Sequence, residues 1–296
     1  MQVTKQTPGK VNLCLLVGPK DDSGSHEIFT VFVPVNVYDS LEFALEARPE
    51  GDRPGHLTVE CKTAAGEANL ATQALRALER HTGWAFDGRV VIHKTIPVGA
   101  GMGGGSSDAA AALVTGVEAL AEAGGPPVEW PELVALAREV GADVAFFLDP
   151  VPSIGRGIGE LLEPLELPDL SLVLVFFERM LSTTRVYRTF DTLKPAESQA
   201  VFDFRSGQAE KRWRQVEDVS HLARLLENDL EVASFGLIPS LVTDREVLAR
   251  EGAMAALVSG SGPTLFGVCE SVAKAEELQA RLAIRGFSAR VAAIAR

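Results

Sequence analysis

Pro97-Val98-Gly99-Ala100-Gly101-Met102-Gly103-Gly104-Gly105-Ser106-Ser107-Asp108 is the stretch on which the reading of this chain turns. Five glycines fall between positions 99 and 105, and an alanine-rich run from Ala109 to Ala112 follows and favours helix. A loop so rich in glycine bends sharply and presents backbone N–H groups inward. A helix starting at its end adds unpaired N–H groups and the positive end of its dipole. Together they make a seat for an anion, most often a phosphate, and the hydroxyls of Ser106 and Ser107 reach phosphate oxygens or a metal held on them. Two standard nucleotide motifs do not fit. A Walker loop needs Lys-Ser/Thr after its second glycine, and Ser106 follows Gly105 without a lysine. Gly99-x-Gly101-x-x-Gly104 has the dinucleotide spacing, but only helix follows, not a second strand ending in an acid. A plain linker would not run straight into an apolar helix.

Upstream, Arg89 to Lys94 reads as a strand delivering the chain to this loop, with Lys94 either touching a nucleotide phosphate or lying on the rim. Near the start of the chain, Pro8-Gly9-Lys10 precedes a buried strand, Val11 to Val17, that Gly18-Pro19 is expected to stop. Alone, Lys10 is a solvated flank charge; beside a phosphate loop, a cation stabilises charge developing on a transferring phosphoryl group. Downstream, Gly141-Ala142-Asp143-Val144-Ala145-Phe146-Phe147 sets a carboxylate before an apolar run. Asp143 is then either a turn aspartate or a partly buried group that takes or orients the proton of an acceptor hydroxyl. A third glycine motif, Ser259-Gly260-Ser261-Gly262-Pro263-Thr264, lies in a strand–turn–strand from 255 to 267, where turn N–H groups lean on a ligand or on the phosphate loop.

The remaining elements are read from period and punctuation. Polar residues 21–27 form a turn; strands are expected over 28–37 (near an edge, because of Pro34), 41–45, 57–61, 172–177 and 289–294. Helices are expected from Asn69, as cap, to His81 with Gly83 as stop, over about 107–123, and over 132–140, 211–226 and 272–284. Residues 189–208 read as loop. Residues 161–168, rich in proline and leucine, mark a boundary, giving domains 1–165 and 166–296. Strands and helices mix without a regular βαβ repeat, which is the α+β class.

The totals suit a soluble protein of one large or two modest domains: 296 residues, 46% hydrophobic and 23% charged. Lys+Arg 28 against Asp+Glu 40 gives a net charge of −12, which argues against nucleic acid or an anionic membrane as partner. Cys14, Cys61 and Cys269 are widely spaced and odd in number, as expected of buried thiols in a reducing cytoplasm rather than a disulfide framework or zinc site. Met1-Gln2-Val3-Thr4 lacks a signal pattern, and no apolar run approaches membrane-spanning length, so a cytoplasmic location is expected.

The glycine stretch with Ser-Ser-Asp-Ala-Ala resembles the phosphate loop of the GHMP kinases (galactose, homoserine, mevalonate and phosphomevalonate kinases), and the resemblance spans nearly the whole chain. It implies a two-domain fold, a ribosomal-protein-S5-like N-terminal domain followed by a ferredoxin-like C-terminal domain, with ATP and Mg²⁺ used to phosphorylate a small alcohol. The triple glycine points to the branch that phosphorylates the 2-hydroxyl of a cytidylylated alcohol in isoprenoid synthesis by the non-mevalonate route. By resemblance, Lys10 and Asp143 are catalytic, Lys94 and the residues from Pro97 to Ser107 hold the nucleotide, and Asn12 lines the acceptor pocket. His26 matches the histidine that hydrogen-bonds cytosine, but Ser25 stands where the family has a stacking tyrosine, a change worth about 1–3 kcal/mol of base binding. Ser182-Thr183-Thr184-Arg185-Val186-Tyr187 matches the segment whose aromatic stacks on the base from the other side, with Thr183 and Tyr187 on the substrate. The resemblance assigns no metal ligands, and the protein is expected as a monomer or homodimer. A sister kinase acting on a different alcohol, and a non-catalytic nucleotide-binding protein on the same scaffold, stay open as alternatives; the second would be expected to lack Lys10 or Asp143.

Overall fold

Two strands much longer than the sequence reading expects open the chain. The computed structural model describes residues 1–22, 24–51, 55–63, 66–194 and 197–295; Ser23 of the expected turn, and Pro195 and Ala196 of the expected loop, lie outside the described residues. Strand β1 runs Gln2–Lys20, through Gly18-Pro19 rather than stopping there. Strand β2 runs His26–Pro49 and joins the two shorter strands expected over 28–37 and 41–45. Its pattern explains why the reading split it: Ile28 to Val35 is buried on both faces, whereas from Val37 to Ala47 inward residues alternate with outward ones. One strand with two burial regimes carries two different sequence signatures.

The chain packs into two compact units, each gathered from separate stretches. The first takes Met1–Gly9, Val37–Val98 and Gly103–Pro150. In it β4 (Trp84–His93) pairs antiparallel with the second half of β2, Ser40 opposite His93, and parallel with β3 (Leu57–Cys61). Helices α1 (Leu70–Thr82), α2 (Gly104–Glu122) and α3 (Trp130–Val140) pack on one another. Asn69 caps α1 through its side chain to Ala71 N, and Gly83 ends it, as expected. At Gly116 of α2 an added Cβ would lie 2.7 Å from Leu78 and 2.9 Å from Leu75, so the two helices touch through a missing side chain. The small buried face of α2, Ala109, Ala110, Ala112 and Leu113, allows close packing within this unit.

The second unit takes Lys10–Asn36, Gly99–Met102 and Val151–Arg296. Beside the inner ends of β1 and β2 it holds β5 (Ser153–Arg156), paired with β2 at Thr30–Phe32 and with β6 (Leu161–Pro164). A four-stranded antiparallel sheet is formed by β7 (Ser171–Phe176), β9 (Ala255–Val258), β10 (Leu265–Cys269) and β11 (Ser288–Ala293), in the order β11-β7-β10-β9. Helix α9 (Val272–Ile284) lies on that sheet and buries Ala275, Leu278 and Leu282. Two expectations are corrected. Residues 189–208 are not loop: α4 runs Thr183–Leu193 and α5 runs Gln199–Trp213. Only Phe202, Ala209 and Trp213 of α5 are buried, a sparse heptad stripe, while Val201 and Phe204 face solvent and blur the period. The helix expected over 211–226 is instead the end of α5, a turn, and the short α6 (Val219–Ala223) capped by Asp218. A two-residue strand β8 (Glu227–Asn228) then pairs parallel with β1 at Cys14 and Leu15, before α7 (Glu231–Leu237) and α8 (Ser240–Glu251).

Candidate active site

In the first unit, β4 ends at His93 and the chain reaches the glycine stretch through Lys94, Pro97 and Val98. Helix α2 begins at Gly104, three residues before the expected start, with left-handed Gly103 at its cap position and no side chain capping it. The N–H groups of Gly104, Gly105 and Ser106 therefore open an uncapped first turn, the arrangement that binds anions. Ser106 is half-buried, and Ser107 is buried, its hydroxyl without a hydrogen-bond partner among the described residues. A buried, unsatisfied hydroxyl is costly unless a ligand completes it.

Behind that turn lies a buried charge cluster. The Lys94 ammonium donates to Asp39 and, at 2.8 Å, to Asp108, whose other oxygen accepts from the Thr7 hydroxyl at 2.9 Å. Burial pushes the Asp108 carboxyl up to about 6, with Lys94 opposing. Burial pulls the Lys94 ammonium down, but Asp108 and Asp39 outweigh it and hold it above the ordinary lysine value. The ammonium lies 3.1 Å from where a Cβ on Gly104 would stand, at the first residue of α2. Asp143 occupies a half-buried turn between α3 and a 3-10 turn at Ala145–Leu148, whose Phe146 and Phe147 rings meet edge to face at 5.1 Å. The apolar run thus anchors the segment, and the aspartate stands at its edge.

In the second unit, Lys10 is 4% exposed and its ammonium donates to Asn12 Oδ1 at 2.6 Å. Asn12 donates in turn to the Thr30 hydroxyl at 2.8 Å, which donates to the Cys14 carbonyl at 2.7 Å. Asn12 thus orients Lys10, and Thr30 fixes Asn12; Thr30 carried no signal in the sequence beyond its place in a strand. Gly99, Ala100, Gly101 and Met102 are held from two sides. Lys10 N donates to Met102 O at 2.9 Å, and the Ser259 hydroxyl donates to Gly101 O at 3.0 Å. The Ser259–Gly262 turn leans on the lysine as well: a Cβ on Gly260 would lie 3.0 Å from Asn12 Oδ1 and 3.4 Å from Lys10 Nζ. Asn228 secures the turn by donating to the carbonyls of Val258 and Gly260, both at 2.8 Å.

His26 and Tyr187, 161 positions apart in the chain, are brought together with ring centroids 5.5 Å apart and planes 27° from parallel. The His26 ring nitrogens face the Gly18 carbonyl at 2.7 Å and Asp191 Oδ1 at 2.8 Å. Burial pushes the Asp191 carboxyl up, but Lys20 and His26 outweigh it and hold it below its ordinary value. Thr183 opens α4, and its hydroxyl lies 3.1 Å from that of Ser261, linking the helix to the glycine turn. Ser25 is exposed, its N–H donating to Asp21 Oδ1 at 3.0 Å. Cys14 and Cys269 are buried, and burial raises Cys269 to about 11, while Cys61 is half-buried with its sulfur 3.4 Å from the Thr63 hydroxyl.

An α+β chain with an uncapped helix start after a glycine loop, and a second glycine turn bracing it, defines a small-molecule kinase fold. The chain belongs to the GHMP kinases: the family model for the GHMP kinases N terminal domain matches residues 69–149, and that for the GHMP kinases C terminal matches residues 209–287. The members of this family are ATP-dependent kinases of small molecules, and the expected two-domain fold is borne out. The relatives narrow the class. The 4-diphosphocytidyl-2-C-methyl-D-erythritol kinase of Thermobifida fusca (strain YX) is 38% identical, covering 97% of this chain and 93% of that one. That of Mycolicibacterium smegmatis is 36% identical, covering 96% and 87%. A crystal structure of 4-(cytidine 5'-diphospho)-2C-methyl-D-erythritol kinase superposes with a TM-score of 0.73 at 32% identity, covering 99% of this chain and all of that one. Homoserine kinase from Cytophaga hutchinsonii, at 18% identity and a TM-score of 0.70, shares the fold. No helix among the described residues is long and apolar enough to cross a membrane.

Proposed function

We propose that the chain transfers the γ-phosphoryl group of ATP to the 2-hydroxyl of 4-diphosphocytidyl-2-C-methyl-D-erythritol, a step in isoprenoid precursor synthesis. The observation that carries the phosphoryl-transfer part is the start of α2: an uncapped turn with the buried, partnerless hydroxyl of Ser107 beneath it. The choice of acceptor is supported by relatives of that name at 34–38% identity over most of the chain.

In this reading the residues from Pro97 to Ser107, with Lys94, hold the triphosphate. Asp143 orients the acceptor hydroxyl and takes its proton as the oxygen attacks in line. Lys10, oriented by Asn12, stabilises the charge building on the phosphoryl oxygens. The described residues contain no group of three or more His, Cys, Asp or Glu able to hold a metal, which fits Mg²⁺ carried mainly by phosphates and water. Ser107 Oγ is a suitable hard oxygen donor for it, and when bound the ion would neutralise triphosphate charge. In chain order, 1–165 is assigned to nucleotide binding and catalysis and 166–296 to the acceptor. We further infer that the protein works in the cytoplasm as a monomer or homodimer.

Ser25 favours a second reading, a sister kinase acting on another alcohol, because serine cannot stack on a base. Incubation with ATP, Mg²⁺ and the cytidylylated alcohol distinguishes the two. The expected result is ADP release dependent on that alcohol, and a new phosphomonoester on its 2-hydroxyl by ³¹P NMR. No turnover with it, alongside turnover of another alcohol, would establish the sister kinase.

A further inference from the structure

Asp39 lies in β2, far in sequence from every glycine motif, and its side chain is completely buried. Its two oxygens do different work. Oδ1 accepts from the backbone N–H groups of Thr95, at 2.6 Å, and Ile96, at 2.8 Å, where the chain leaves β4 for the glycine loop. Oδ2 accepts from the ammonium of Lys94. A buried carboxylate is stable only when its lone pairs are satisfied, and here three donors do so. The lysine so held stands 3.1 Å from the Cβ position of Gly104, and the Ile96 side chain stands 2.9 Å from the same point. Asp39 therefore fixes both the backbone approaching the first turn of α2 and the Lys94 ammonium beside that turn. Asp108 alone would not do this. It holds the lysine from the helix side and accepts from Thr7, whereas the Thr95 and Ile96 N–H groups donate to Asp39.

We propose that Asp39 is a positioning residue for ATP, acting through Lys94: it aims the ammonium at the first turn of α2, where the proposed kinase reading seats the phosphates. The division of labour between its oxygens supplies a clean perturbation. Asp39→Asn keeps an oxygen for the Thr95 and Ile96 N–H groups and turns an amide N–H₂ toward Lys94, so the backbone clamp survives while the aim of the ammonium is lost. In the full-length chain the expected result is an ATP dissociation constant about tenfold weaker by calorimetry. The KM for ATP rises in step, the KM for the acceptor is unmoved, and the thermal midpoint stays within a few degrees of the parent. Lys94→Met weakens ATP by the same factor, and the double variant is no weaker than either single one, as expected of two residues acting as one. An unchanged ATP affinity in Asp39→Asn, or additive losses in the double variant, would overturn the proposal. If Asp39→Asn does not fold, Lys94→Met carries the test, since unchanged affinity there leaves Asp39 nothing to act through. Ser107→Ala separates this from the kinase reading. Weakened ATP binding in Ser107→Ala with unchanged binding in the Asp39 and Lys94 variants rejects the Asp39 role alone, whereas unchanged binding in all three rejects the seat itself.

Discussion

Replacing Gly101 by alanine tests whether the second glycine turn braces the glycine loop. Gly101 has φ +74°, and an added Cβ would lie 2.1 Å from Ser259 O and 2.9 Å from Gly262 N. The left-handed backbone alone costs an alanine about 1–2 kcal/mol. To restore ordinary contact the turn must also retreat by more than about 1 Å, which breaks the Ser259 Oγ–Gly101 O and Thr264 N–Ala100 O hydrogen bonds, each worth about 1 kcal/mol. The sum is roughly 3–4 kcal/mol. Gly124 is the matched control: its φ is +73°, but nothing lies within 4 Å of its Cβ position, so Gly124→Ala pays only the backbone cost. At about 2–4 °C per kcal/mol, the thermal midpoint should fall by about 10 °C for Gly101→Ala and about 4 °C for Gly124→Ala. Calorimetry with ATP should show weaker binding only in Gly101→Ala, since Gly124 follows a 19-residue helix and lies about 28 Å along it from the loop. Equal losses in the two variants, or unchanged ATP affinity in Gly101→Ala, would refute the bracing argument.

Asp143→Asn should reduce turnover by at least about 100-fold while leaving ATP affinity within about twofold, as read by steady-state kinetics and calorimetry; retained turnover would remove the carboxylate from proton transfer. Asp108 gives a pH signature. Its folded-state value, about 6, lies above the ordinary 3.8, so the folded chain binds that proton more tightly and the group's contribution to stability falls as pH rises from about 4 to about 6. Asp108→Asn cannot ionise, so its stability relative to the parent should rise by about 3 kcal/mol between pH 3.5 and 7 in urea titrations; parallel curves would contradict this. Ser25→Tyr should lower the KM for the cytidylylated alcohol about 5- to 150-fold without moving the KM for ATP, the span expected of one restored stacking contact.

What the sequence disclosed and what it withheld divide along a physical line. The glycine loop, the strand–turn–strand at 255–267 and the capped helix from Asn69 were legible, because glycine spacing and cap residues are local signals. Asp39 was not, since its partners Thr95 and Ile96 are more than 50 positions away and a lone acid in a strand reads as an outward-facing charge. Asn228 was passed over for the same reason: its bonds to Val258 and Gly260 cross 30 and 32 positions. Helix α5 was missed because its buried face is too narrow to leave a period. Family likeness assigned His26 and Tyr187 to one base, but the stacking of the two rings on each other, and the Asp191 and Gly18 contacts that fix the histidine, are tertiary and had no local mark.

Because β1 takes its parallel neighbour from Glu227 and Asn228, and Lys10 has its backbone tied at Met102 and its ammonium walled by Gly260, the first strand off the ribosome waits for nearly the last. Residues 10–36 can settle into their unit only when some 260 residues have been translated, so Lys10, the proposed catalytic lysine, is set late in synthesis. Such long-range closure slows folding and leaves an early apolar strand in need of shelter. It also means that no single cut in the chain yields the second unit whole.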